Sequence, residues 1–181
     1  MAKFYSELDD NLRSFIEEQK IFFTASAPET GRINLSPKGM DSFRCLSHNQ
    51  VAYLNLTGSG NETAAHLVEN GRLTIMFCSF EKRPLILRLY GTGRAIHHRD
   101  AEWGAMYAKF PDELGARQII VMDIESVQTS CGFAIPFYDY QGERNTLRKY
   151  AENLGEDGLQ AYWEKKNVTS IDGLPTKLFA D

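Results

Sequence analysis

The residues best suited to holding an anion lie between Leu54 and Leu67. The order Leu54-Asn55-Leu56-Thr57-Gly58-Ser59-Gly60-Asn61-Glu62-Thr63 reads as a strand, a Gly-rich turn and the first turn of a helix. The first N–H groups of a helix lack intrahelical acceptors and sit at the positive end of its dipole, so a phosphate is stabilised there. The hydroxyls of Thr57, Ser59 and Thr63 add donors, and Gly58 and Gly60 let the backbone come close to a ligand. An ordinary capped turn, with Asn61 as N-cap and the glycines at positive φ, explains the same residues. A dinucleotide fingerprint does not, because the last glycine is missing and the flanking strands do not build βαβ units.

Three further segments carry usable groups. In Arg32-Ile33-Asn34-Leu35-Ser36-Pro37-Lys38-Gly39, strand alternation puts Asn34 and Ser36 on one face, with Lys38 continuing it. That face can reach a phosphate or a ring oxygen, or can simply be solvated. Pro37 removes a backbone donor and points to an edge or a bend. Arg88 stands in the apolar run Leu85–Tyr90, where a guanidinium requires an anionic partner: a ligand phosphate, or a carboxylate such as Glu62. The stretch Gln128-Thr129-Ser130-Cys131-Gly132-Phe133 is suited to lining a planar ligand. Cys131 has no histidine near it in sequence, so it reads as a semi-buried structural cysteine rather than a nucleophile. His97 and His98 would point to opposite sides of a strand and so do not make a metal pair; they read as solvated, and no metal site is expected.

These groups need elements to position them. The stripe Leu8, Leu12, Phe15 and Ile16 predicts a helix over Ser6–Gln19 with Ser6 as N-cap. Strands are predicted at Ile21–Ala27, Arg32–Ser36, Phe43–Ser47, Gln50–Leu56, Leu73–Phe80, Leu85–Ile96 and Arg117–Gln128. Turns at Pro28–Gly31 and His48–Asn49 make the first two pairs hairpins. Helices are predicted at Asn61–Asn70, ended by Gly71, at Ala101–Phe110 behind Asp100, and at Gly142–Asn153 and Glu156–Lys166. Gly91 and Gly93 suggest a bulge. Short connections imply antiparallel pairing, and a curved sheet or barrel protects its edges.

The 181 residues, 43% of them hydrophobic, suffice for one compact domain spanning 1–181. With 24 acidic and 20 basic residues the net charge is −4, which argues against a nucleic-acid partner. No apolar run approaches membrane-spanning length, so no membrane partner is expected. Cys45, Cys78 and Cys131 form no disulfide framework, which suits a reducing cytoplasm. The Asn-x-Thr triplets at Asn55, Asn61 and Asn167 suggest local polar roles rather than glycosylation.

The succession INLSPKG, VAYLNLTGSGNETAAHLVENGRLTIMF, LRLYGTGRA and VQTSCGFAIPFYDYQGER resembles the pyridoxamine 5′-phosphate oxidase-like FMN-binding proteins, in particular a poorly characterised subgroup. The resemblance runs from about Lys20 to Arg144. It implies a β-rich α+β fold, an antiparallel split β-barrel over 20–130 with short flanking helices and a C-terminal helical extension over 142–181. It also implies a homodimer with FMN at the subunit interface and an oxidoreductase of undefined substrate. The cofactor-binding positions carried over are Ser36, Pro37 and Lys38, the last on the family's motif lysine, and Leu56, Thr57, Gly58, Ser59, Asn61 and Thr63 at the strand–helix junction. Arg88, near a ring-contacting glutamine of the family, and Cys131 complete the set. No catalytic acid or base is assigned. The oxidases' basic phosphate pair is absent from Gly58–Thr63, and their C-terminal tryptophan–arginine segment has no counterpart. Oxidation of pyridoxamine phosphate itself is therefore not expected. The alternative is a non-catalytic or redox-responsive module for flavin, deazaflavin or haem.

Overall fold

The computed structural model describes residues 2–179. Its elements in chain order are β1 (Lys3–Tyr5), α1 (Asp10–Glu18), β2 (Phe22–Ser26), β3 (Asn34–Lys38), β4 (Phe43–Cys45), β5 (Gln50–Leu56), α2 (Glu62–Glu69), β6 (Arg72–Cys78), β7 (Leu85–Ile96), α3 (Trp103–Tyr107), β8 (Ala116–Cys131) and α4 (Thr146–Lys166). The eight strands make one sheet in the order β3-β2-β6-β7-β8-β5-β4, with β1 added beside β8. Every pairing is antiparallel, as the short connections require. β8 organises the sheet: β7 runs along one of its edges, while β5 and then β1 share the other.

The sheet curls into a split barrel. In a flat sheet β3 and β5 would lie five strand spacings apart, about 24 Å. Here Lys38 Nζ of β3 donates to Asn55 Oδ1 of β5 at 3.5 Å. Part of the bend comes from a register shift between β7 and β8 at Tyr90/Gly91. A Cβ on Gly91 would stand 1.9 Å from the Asp123 carbonyl oxygen, so only glycine fits there. β3 is an edge strand, which is where Pro37 is tolerated.

The main core joins α1 to the inner faces of the sheet, through Leu8, Leu12, Phe15, Ile16, Phe22, Tyr53, Ile75, Phe77, Leu87 and Met122. Phe22, Phe43 and Phe77 pack with ring centroids 4.9–5.7 Å apart. A second cluster places Ile96, Phe110 and Ile119 beneath α3, and a third holds Ala151, Leu159, Trp163 and Leu178 of α4 and the tail.

Several sequence expectations are corrected. Ser6 does not cap the first helix. Lys3–Tyr5 are committed to pairing with Val127–Thr129, so the helix starts later, and Asp9 accepts from Leu12 N at 2.8 Å. β1 is also the strand that raises the total beyond the seven expected. α3 is shorter than expected, because the Asp100 carboxylate binds His97 N at 2.7 Å instead of capping a longer helix. The two expected C-terminal helices are both present within α4, separated at Gly155, whose φ of 65° is not helical; only the first starts later than expected, at Thr146. His97 is buried rather than solvated, while His98 stacks on Trp103 with centroids 3.9 Å apart. Among the described residues no helix is long and apolar enough to cross a membrane.

Candidate functional site

The inner face of β3, the end of β5, the start of β8 and the turn into α2 enclose a cavity of about 340 Å³. Ser36, Pro37, Lys38, Leu56, Gly58, Ser59, Asn61 and Thr63 line it, together with Asn34, Asn55, Gly60, Glu62 and Arg117. Eight of the eleven positions singled out from sequence thus converge on one space. Alternation along β3 does what its pattern implies. Asn34, Ser36 and Lys38 share a face, with Ser36 Oγ donating to Asn34 Oδ1 at 3.0 Å and Asn34 Nδ2 donating to Thr63 Oγ1 at 3.0 Å.

Two cations border this cavity. Burial, with the Arg117 charge adding to it, pulls the Lys38 ammonium down to about 8. Burial likewise pulls Arg117 down to about 10, against the pull of Tyr53, Tyr162 and Glu62 upwards. Arg117 is 2% exposed, and its Nη1 donates to the Gly60 carbonyl at 3.0 Å. Among the described residues its Nε has no hydrogen-bond partner. An unpaired, buried guanidinium nitrogen beside a half-buried ammonium is a costly arrangement unless an anion joins it.

The turn adds donors. Asn61 occupies the N-cap position of α2 but makes no cap bond. Its side chain turns inward instead, accepting from Gln118 Nε2 at 2.8 Å and donating to the Asn167 carbonyl at 3.2 Å. The first N–H groups of α2 therefore remain uncapped at the cavity. Neither glycine of the turn has positive φ, so the capped-turn explanation for them does not apply. A Cβ on Gly58 would meet nothing within 4 Å, which leaves open space for a ligand. Among the described residues Glu62 is the one carboxylate on the lining, and its Oε2 accepts from Ile171 N at 2.9 Å.

The remaining predicted positions lie elsewhere. Thr57 is buried behind the turn, donating to the Gly115 carbonyl and accepting from Trp163 Nε1, each at 2.9 Å. Arg88 sits on β7 opposite Gln128 and donates to Ser130 Oγ at 3.2 Å, so neither Glu62 nor this cavity is its partner. Cys131 ends β8 and is exposed, not semi-buried. All three triplet asparagines, Asn55, Asn61 and Asn167, are buried in or behind the cavity wall. Arg117 was missed from sequence, although it opens the apolar run Ile119–Met122 much as Arg88 stands in its own. Among the described residues no cluster of three His, Cys, Asp or Glu side chains could hold a metal ion.

A curled antiparallel split barrel with a cation-lined cavity at the strand–helix junction defines the class of protein. The chain belongs to the pyridoxamine 5′-phosphate oxidase family, whose model matches residues 8–131. It is similar to the pyridoxamine 5′-phosphate oxidase family protein ustO of Aspergillus flavus, with 44% identity over 195 residues covering 97% of this chain and 78% of the relative. Among solved structures it resembles HupZ of Group A Streptococcus, at 20% identity and a TM-score of 0.54 over 66% of this chain and 91% of that one. It also resembles a candidate pyridoxamine 5′-phosphate oxidase from Lactobacillus delbrueckii, at 17% identity and a TM-score of 0.54 over 68% and 94% of the two chains. At these identities the structural likeness concerns the fold.

Proposed function

We propose that this chain is an FMN-binding flavoprotein of the cytoplasm, a homodimer with flavin at the subunit interface and an oxidoreductase acting on a small molecule. The observation that carries the reading is the pair of cations, Lys38 and Arg117, turned on one cavity beside the uncapped start of α2. A phosphate monoester matches that donor set in charge and hydrogen-bonding capacity. Lys38, Arg117, Ser59 and Thr63 would hold the phosphate, and Ser36, Pro37 and Leu56 would flank the ligand on its way out of the cavity. Arg88 and Cys131 lie outside this cavity and are the groups available to a flavin held by the partner subunit. Bound FMN supplies hydride and single-electron chemistry, while the protein fixes its position and limits access.

The visible spectrum of the purified protein, with chromatographic identification of any released cofactor, tests the reading. A yellow protein releasing FMN is expected. A colourless protein that also fails to take up added FMN overturns it. A yellow protein whose flavin is reduced by neither NADH, NADPH nor a substrate panel is a binding module instead of an oxidoreductase.

A further inference from the structure

The turn that borders the cavity is gripped from behind by residues more than a hundred positions away. Trp163 Nε1 of α4 donates to Thr57 Oγ1 at 2.9 Å, and that hydroxyl in turn donates a hydrogen bond to the Gly115 carbonyl. Asn167, fully buried after the end of α4, donates through Nδ2 to the Gly58 carbonyl at 3.1 Å. The Asn167 carbonyl accepts from Asn61 Nδ2 at 3.2 Å and from Thr176 Oγ1 at 2.7 Å. One residue further into the turn, the Ile171 N–H holds the Glu62 carboxylate at 2.9 Å. Asp172 pairs with Arg32, fastening the same segment to the approach to β3, the opposite wall.

These bonds have a directional consequence. Across a planar trans peptide the carbonyl and the following N–H point in opposite directions. Drawing the Gly58 carbonyl towards Asn167 therefore turns the Ser59 N–H the other way. Asn167 and Trp163 are not on the cavity lining, so their effect on a ligand passes through the turn. The Glu62 contact works in the same sense, because an N–H donor at its carboxylate partly offsets a negative charge on the rim of an anion site.

We propose that the end of α4 and the turn after it are a working part of the anion site, with Trp163 and Asn167 as positioning residues that aim the Thr57–Glu62 turn at a phosphate monoester. This rests on the reading of the cavity as a phosphate site. Docking of the C-terminal segment and phosphate binding then strengthen one another by the same factor.

The test compares FMN with riboflavin, which lacks the phosphate, in the full-length protein and in Trp163→Phe and Asn167→Ala. Trp163→Phe keeps an aromatic ring against Ala151, Leu159 and Leu178 while removing the N–H donor and part of the indole's volume, and riboflavin affinity controls for the lost volume. Each variant is expected to weaken FMN by about tenfold, one hydrogen bond's worth, with riboflavin affinity unchanged. The thermal shift produced by inorganic phosphate should shrink in parallel. In the unmodified protein, FMN or phosphate should slow amide hydrogen exchange over 167–176. Equal losses for FMN and riboflavin, or unchanged FMN affinity in both variants with unchanged exchange, overturn the proposal. A protein that responds to phosphate but not to FMN refutes the flavin reading alone, and the phosphate shifts of the variants still decide the positioning role. A protein that binds neither refutes both.

Discussion

Burial lowers the Lys38 ammonium to about 8, and the neighbouring Arg117 charge adds to the shift, so its protonation is linked both to folding and to anion binding. Without ligand, the unfolded chain holds this proton up to the ordinary lysine range while the folded chain releases it from pH 8. The Lys38 contribution to stability therefore rises with pH between about 8 and 10.5. Anion binding runs in the opposite direction, because the anion prefers the protonated amine. Phosphate or FMN affinity is expected to fall above pH 8, where the phosphate is already a dianion, by up to about tenfold per pH unit. Titration calorimetry across this range checks it, and Lys38→Met should abolish the fall as well as weaken binding. Arg117→Met should cost about 2 kcal/mol of anion affinity, the worth of a charged hydrogen bond, and move the onset of the pH effect upwards by removing the neighbouring charge. Glu62→Gln keeps an acceptor for Ile171 N and deletes the rim's negative charge, so phosphate should bind a few-fold more tightly, about 0.5–1 kcal/mol. Weaker binding in that variant would show that the carboxylate does more than oppose the ligand.

At the scale of elements, strand and helix types followed from pattern, whereas their ends depended on neighbours. The stripe Leu8, Leu12, Phe15 and Ile16 is buried as its spacing requires. The cap of α1 is not legible locally, because β8, far along the chain, claims Lys3–Tyr5 as a strand. Asp9→Ala should accordingly cost about 1 kcal/mol in urea unfolding, and Ser6→Ala should change nothing measurable. The bulge at Gly91 was legible from its glycine, but the reason for it is a tertiary one, the Asp123 carbonyl against the place where a Cβ would go. Gly91→Ala should destabilise by at least about 1–3 kcal/mol through forced displacement of β7 from β8. A midpoint unchanged from the parent would show that the strands part there without cost.

At the scale of the whole molecule, the curl of the sheet is what brings β3 to β5 and so creates the cavity. Large apolar side chains also stand in solvent, with Ile33 76%, Leu35 67%, Phe133 81% and Phe137 78% exposed. Such exposure is expected of a surface that meets a partner. Sedimentation analysis should return twice the chain mass, and diluting the protein to monomers should release its flavin. A monomer that retains flavin at all concentrations would refute the interfacial site.

Local sequence determined seven of the eight strands, the hairpins, the polar face of β3 and the donor-rich turn at Gly58–Thr63. Those features depend on side-chain alternation and on the conformational habits of Gly, Asn and Pro, which act over a few residues. Tertiary structure alone decided that Lys38 and Arg117 would confront each other across one cavity, that Arg88 and Cys131 would stand apart from it, and that Trp163 and Asn167 would hold the turn from behind. Charge, burial and hydrogen-bond partnership are set by distances in space. Between residues a hundred positions apart, those distances exist only once the sheet has curled and α4 has docked against the turn.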